Sequence, residues 1–155
     1  HNPLRKIPTL LVNDLTIIDS DNICFYLDSV SNNDTLFPKK NYFEIISMVS
    51  VANGLMESVL ERRMEIIRPN NEQSKNFINK QEVRIERTIK WLENNWKNYN
   101  ENYLTMDQIA IACSLEYTNF RLNDLWEKNS PYLKKWLNNF RQKDFMKSTI
   151  PIEAK

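Results

Sequence analysis

The chain is predicted to be a short α+β segment followed by an all-α bundle, and three observations carry that reading. Two short apolar runs, at residues 9–12 and 15–18, flank the turn residues Asn13 and Asp14, after which Ile23, Cys24, Tyr26 and Leu27 repeat at helical spacing. From Asn41 onward the apolar positions advance by threes and fours, the period of a helix with one buried face. A single glycine, Gly54, in 155 residues argues against a turn-rich all-β fold and against glycine-rich phosphate loops. A chain of this length can bury one sizeable core, or one small domain and part of another.

Taken in order, the first element is Ile7-Pro8, just ahead of the run Thr9 to Val12. A proline entering a strand suits an edge, a strand's first residue or a cis turn. It withholds its own N–H and leaves the backbone groups of Ile7 open to an added peptide strand. The second run, Leu15 to Ile18, leads into Asp19-Ser20, which therefore stand at a helix N-terminus. Residues 31–40, with Pro38 and no periodicity, are expected to be a linker in which Leu36 and Phe37 tuck against the next domain. A long helix is predicted over 41–68, with apolar rows at Ile45, Met48, Ala52, Leu55, Val59 and at Ile46, Val49, Met56, Leu60, Ile67. Two adjoining rows predict a broad buried face. Gly54 in its middle is explained by close approach of another backbone or by a chance substitution.

Pro69 ends this helix, and a second is predicted over 74–98, forming an antiparallel αα-hairpin with the first. After a break at 98–102, Thr105 and Gln108 have the spacing of a capping box, and the apolar stretch Ile109 to Cys113 predicts a central helix. Ser130-Pro131 opens a last helix with Leu133, Trp136, Leu137 and Phe140 on one face. The four tryptophans and both cysteines read as core residues. The acidic and basic run Glu57, Glu61, Arg62, Arg63, Glu65 and Arg68 reads as a solvated or subunit-facing surface.

Lys+Arg 21 against Asp+Glu 20 gives no electrostatic reason to expect nucleic acid or an anionic membrane as partner. No apolar run of the length of a membrane span was found in the sequence. Cys24 and Cys113 have neither zinc nor redox spacing, so no metal site is expected and a reduced, cytoplasmic compartment fits.

The start of the first helix is an anion site in physical terms, with first-turn N–H groups, the positive end of the helix dipole and the Ser20 hydroxyl together. Asp19 beside it suits an ammonium group. A ligand bearing a carboxylate and an amine on one carbon, joined to an extended peptide, would satisfy Ile7, Asp19 and Ser20 at once, and the γ-glutamyl end of glutathione is such a ligand. NPLRKIPTL, then DS, then ICFYLD resembles the second half of the thioredoxin-like domain of glutathione S-transferases, whose pattern runs NPxGKVPxL, an acidic residue or Gln with Ser, then IxxYL. The later stretches VANGLMESVLERRMEIIRP, RIERTIKWLE, LTMDQIAIACSLEYTNFR, PYLKKW and TIP resemble the helical domain of the same family, particularly its bacterial members.

The resemblance implies the C-terminal half of a thioredoxin-like domain in residues 1–30, a linker in 31–40 and the all-helical C-terminal bundle in 41–155. It implies a homodimer that binds glutathione as co-substrate and conjugates its thiolate to an electrophilic small molecule. Ile7 and Pro8 would meet the cysteinyl part, and Asp19 and Ser20 the γ-glutamyl part. Lys6 would either neutralise the glycyl carboxylate or be a solvated lysine. The residue that activates sulfur is expected in a segment upstream of His1 and is unknown here. A glutathione-dependent disulfide reductase or isomerase, or a noncatalytic transferase-like interaction module, would share the same residues. Three departures from the family pattern are Arg5 for a glycine, Gln108 for an aspartate and Glu116 for a glycine. Glu116 is expected to alter the lining of a nearby cleft. Tyr117, Asn119 and Arg121 would face that cleft or, as is commoner, join helices by hydrogen bonds.

Overall fold

A computed structural model of the chain describes residues 1–96, 103–122 and 125–150. Two compact units are present, His1–Tyr42 and Phe43–Lys155. The break expected at 98–102 and the motif end at Pro151 lie outside the described residues.

The first unit is a β-hairpin followed by a helix. Strands β1 (Thr9–Val12) and β2 (Leu15–Ile18) pair antiparallel, with Thr9 opposite Ile18 and Val12 opposite Leu15. Asn13 takes positive φ (51°) in the two-residue turn, a conformation an Asn tolerates better than most side chains. Helix α1 (Ser20–Ser29) follows, with Ile23 buried. The stretch after α1 is bonded back to it. Asp28 accepts from the Thr35 hydroxyl (2.6 Å) and the Leu36 N–H (2.7 Å). Phe37 packs edge-on against Phe25 of α1 (5.5 Å between ring centres), with Tyr42 completing the cluster.

The second unit is a helical bundle. Helix α2 (Tyr42–Ile66) begins at the boundary and α3 (Lys75–Asn95) follows it, with Ser74 capping α3 by accepting from the Phe77 N–H (3.2 Å). Cross-helix ion pairs Arg62–Glu82 (2.7 Å) and Glu61–Arg84 (3.8 Å) seam the two as an antiparallel pair. Arg62 and Glu61, expected on a solvated or subunit-facing surface, thus pair across the two helices. Glu65 ties the connection by accepting from the Ser74 N–H (2.6 Å) and from Arg68 (3.3 Å).

The buried stripe of α2 follows the first predicted row, except that Val49 of the second row is buried and Met48 of the first is half-exposed. Ile45, Val49, Ala52, Leu55 and Val59 are in the core, whereas Leu60, Met64 and Ile67 are exposed and Ile46 and Met56 half-exposed. The buried face of α2 is therefore narrower than the expected broad one. By length and composition alone the stretch Lys39–Ile66 could also cross a bilayer. Ser47, Ser50, Asn53 and Glu57 interrupt its apolar run. About 33% of its most apolar window is buried inside the bundle, which accounts for part of that composition. Gly54 has no neighbour for an added Cβ within 4 Å, which removes close approach as its explanation.

Helix α4 (Met106–Leu122) is the central helix, with Ala110, Ile111, Ala112, Ser114, Leu115 and Thr118 buried. Cys113, expected in the core, is exposed on it, while Cys24 is half-buried. Helix α5 (Pro131–Phe140) buries Leu133, Trp136, Leu137 and Phe140, with Pro131 at its first position. Its first-turn N–H groups are capped from a distance. The Glu93 carboxylate of α3 accepts from Tyr132 (3.0 Å) and Leu133 (2.9 Å), placing negative charge at the positive end of the α5 dipole. A short helix α6 (Asp144–Ser148) was not anticipated. Trp96 and Trp136 stack edge-on at 5.9 Å in the core, but Trp91 is exposed and Trp126 half-buried.

Two of the residues that depart from the family pattern have clear partners. Gln108 donates its amide to the Tyr103 carbonyl (3.3 Å). Glu116 forms a two-pronged ion pair with Arg141 just past α5, so it joins helices and does not alter a cleft lining. The buried acid in the first turn of α4 is Asp107, next in sequence to Gln108. Burial raises its pKa above the usual value, the Glu44 carboxylate adds to the shift, and hydrogen bonds from Thr105 and from nearby backbone N–H groups oppose it. Its Oδ1 has no hydrogen-bond partner among the described residues.

Two stability predictions follow from these positions. Gly54→Ala should stabilise the chain by about 1 kcal/mol, since a helix-interior glycine gains rigidity without a clash, and a lower melting temperature in calorimetry would contradict it. For Asp107 the native carboxyl holds its proton more tightly than the unfolded one. Its ionisation therefore costs stability as pH rises above about 4, and that cost is absent at lower pH. Asp107→Asn should accordingly melt higher than the unmodified chain at pH 7, with the gain shrinking toward pH 4. A gain independent of pH would point elsewhere.

Candidate functional site

The open end of the hairpin gathers the candidate binding residues. Because Thr9 pairs with Ile18, Pro8 and Asp19 leave the last rung of the ladder on its two sides. Ile7 and Ser20 lie one residue further along each arm.

The first arm is built by Asn2, a residue whose role the sequence reading did not single out. Its carbonyl accepts from the Arg5 N–H (3.0 Å) to close a turn, and its Oδ1 accepts from the Leu4 N–H (2.9 Å). Its amide donates to the Lys6 carbonyl (2.7 Å) and to the Thr9 hydroxyl (3.2 Å). An Asn ahead of a Pro is a turn signal, and that was the available clue. This turn holds Arg5 in the left-handed region at φ 52°. A glycine takes that conformation at no steric cost, which explains why the family pattern carries glycine there, whereas a side chain costs about 1 kcal/mol.

Beyond the turn the Ile7–Pro8 peptide is cis. Ile7 is 94% exposed. Neither its N–H nor its carbonyl has a hydrogen-bond partner among the described residues. Lys6 is also exposed, and its carbonyl is occupied by Asn2.

On the second arm Asp19 is the N-cap of α1 and Ser20 the first helical residue. The Asp19 Oδ1 accepts from the Asp21 N–H at 3.0 Å, and its backbone carbonyl accepts from Ile23 (3.0 Å). Asp19 adopts φ 77°, ψ 134°, a sparsely populated conformation for a residue with a side chain, of the kind that costs about 1 to 3 kcal/mol. The Ser20 N–H and hydroxyl have no partner among the described residues. The helix start thus has an exposed carboxylate, a hydroxyl and a first-turn N–H side by side. Cys24, one turn along, has its thiol pKa raised by burial first and then by Asp21 and Asp19, which leaves it protonated and a weak nucleophile.

The other singled-out polar residues lie in the second unit. Asn119 accepts from the Trp126 indole N–H (2.6 Å) and donates to Glu127 (3.3 Å), joining α4 to the turn Leu125–Asn129. Arg121 lies over the Phe120 ring (4.3 Å) and near Tyr117 (5.5 Å). Between α3 and the end of α4 there is a cleft of about 640 Å³, walled in part by Ile85, Ile89, Leu122 and Trp126. Arg62, Glu82, Glu86 and Lys90 put charges of both signs on its rim, so it favours no single charge class. Among the described residues, no cluster of three or more His, Cys, Asp or Glu side chains could hold a metal ion.

No protein-family model matches the chain. A curated relative, the uncharacterized GST-like protein YibF of Escherichia coli K12, is 26% identical over 159 residues, covering 99% of this chain and 79% of its own. A glutathione transferase family member from Pseudomonas fluorescens Pf-5 with bound glutathione superposes with a TM-score of 0.92 at 29% identity, over 98% of this chain and 77% of that one. The same TM-score, 0.92, is reached at 27% identity by a glutathione S-transferase of Methylobacillus flagellatus KT with glutathione bound, over 98% and 79% of the two chains. The β1-β2-α1 unit is the second half of a thioredoxin-like domain, and the helices after it are the family's C-terminal bundle. These proteins match the chain along nearly its whole length, and in sequence and fold it is similar to the glutathione S-transferases.

Proposed function

We propose that the chain binds glutathione at the open end of the hairpin and serves a glutathione S-transferase that conjugates the thiolate to electrophilic small molecules. The observation that carries this reading is the exposed, unpartnered backbone of Ile7 at the same end of the hairpin as the unpartnered Ser20 hydroxyl and N–H. Ile7 pairs with the cysteinyl residue as an added strand would, and Pro8 fixes the edge. Ser20 donates to the γ-glutamyl carboxylate at the positive end of α1, while Asp19 receives the γ-glutamyl ammonium. Lys6 stands near the other end of the tripeptide. The bound glutathione of the Pseudomonas and Methylobacillus proteins supports the same ligand here. None of these residues is assigned the activation of the thiol; their task is to hold the tripeptide so that the sulfur is positioned.

The reading includes a homodimer. Leu60 and Met64 of α2 and Ile67 just past its end form an exposed apolar row at spacings of four and three, which a second copy would cover. Cys24 and Cys113 are thiols and not half-cystines, which is compatible with a reducing cytoplasm.

Ser20→Ala should weaken glutathione binding by about 1 to 2 kcal/mol, roughly five- to thirtyfold in Kd, the range for losing a hydrogen bond to a charged partner. Isothermal calorimetry giving an unchanged Kd would reject the site. Met64→Glu should shift the chain from dimer to monomer in sedimentation at micromolar concentration, and an unmoved oligomeric state would reject that surface.

A further inference from the structure

We infer that the cleft between α3 and the end of α4 is a further binding site, for an uncharged aromatic molecule that carries one hydroxyl group, and that the Ser130 hydroxyl receives that group. The observation that carries it is a serine released from its usual role. Ser130 stands at the N-cap position of α5, where a serine oxygen ordinarily accepts from an N–H group of the first turn. The Glu93 carboxylate of α3 already accepts from both candidates, Tyr132 and Leu133. The backbone of Ser130 is satisfied, its N–H donating to the Glu127 carbonyl (3.5 Å) and its carbonyl accepting from Lys134 (3.0 Å). Its hydroxyl makes no capping bond and has no partner among the described residues, although Ser130 is only 2% exposed and lines the cleft. Buried hydroxyls are ordinarily hydrogen-bonded, so an unpartnered one in the wall of a cleft points to a ligand.

The rest of the wall sets the class of ligand. Ile85 and Ile89, each 4% exposed, join Leu122 and Trp126 in an apolar surface. The Trp126 indole N–H donates to Asn119 (2.6 Å), so what the side chain offers a ligand is its ring, which favours another ring. Thr118 donates its hydroxyl to the Ser114 carbonyl (2.7 Å), and Arg62 is paired with Glu82 (2.7 Å). Glu86 and Lys90 remain on the rim, of opposite sign and one turn apart on α3, so a charged ligand meets attraction and repulsion together. A neutral ring system avoids that conflict. A serine hydroxyl both donates and accepts, so it can pair with a ligand hydroxyl in either sense. The volume of about 640 Å³ is that of a small-molecule pocket.

The probe is β-naphthol, titrated by calorimetry into the unmodified chain and into Ser130→Ala, with β-methylnaphthalene and β-naphthoate as its apolar and charged counterparts. β-Naphthol should bind the unmodified chain, and about fivefold more weakly Ser130→Ala, the size of one neutral hydrogen bond. β-Methylnaphthalene should bind both chains alike, and β-naphthoate more weakly than β-naphthol. Since the hydroxyl does not cap α5, Ser130→Ala should keep the melting temperature of the unmodified chain. A lower melting temperature means that the hydroxyl caps the helix and overturns the inference. So does the absence of β-naphthol binding, equal affinity for β-naphthol in the two chains, or an equal loss toward β-naphthol and β-methylnaphthalene. Tighter binding of β-naphthoate than of β-naphthol assigns the cleft to anions at Lys90 and rejects the neutral ligand. None of these outcomes depends on glutathione, so failure here leaves the proposed glutathione site intact.

Discussion

Pairing between Thr9 and Ile18 at the open end of a four-residue hairpin is the constraint on which the candidate site depends. Each strand is short, so the ladder leaves little freedom in where its two arms depart. The arms carry complementary chemistry. One is an extended backbone with open hydrogen-bonding groups, and the other is a helix N-terminus with a hydroxyl, an N–H and a carboxylate. Among the described residues, the three with positive φ, Arg5, Asn13 and Asp19, fall in the turns that begin, close and leave this hairpin. Strain in this unit is thus concentrated at the points that orient the site, as expected where surrounding structure over-determines a local conformation.

Asn2 shows how a small unit achieves this without a large core. Its backbone carbonyl accepts from Arg5, and its side chain accepts from Leu4 and donates to Lys6 and Thr9, so one side chain replaces packing that the loop does not have. The carbonyl of Lys6 is consumed in that network while the groups of Ile7 remain open. That division makes Ile7 the point where a peptide can add.

Three glutamates in the second unit serve helix ends and seams. Glu93 caps α5 from α3, Glu65 ties the start of α3 back to α2, and Glu116 pairs with Arg141. Each satisfies donors that would otherwise be left at a helix terminus or between helices. Asp107 differs, because its burial is not matched by partners for both oxygens. The central helix accepts that cost within a core of Ile111, Ala112 and Leu115.

Local signals in the sequence determined the order and type of elements. The Asn13-Asp14 turn, the helix start at Asp19-Ser20, Pro131 at the head of α5 and the apolar stripe Leu133, Trp136, Leu137, Phe140 all act within a few residues, so the chain alone specified them. Tertiary structure decided which apolar and charged residues had neighbours. Periodicity marks the faces of a helix but not which face another helix covers, so Leu60, Ile67, Trp91 and Cys113 read as core and lie exposed. It equally decided that Glu116 would find Arg141 twenty-five residues away. The cause is the same in each case, because burial and pairing are properties of contacts between distant segments, which a local pattern permits but cannot select.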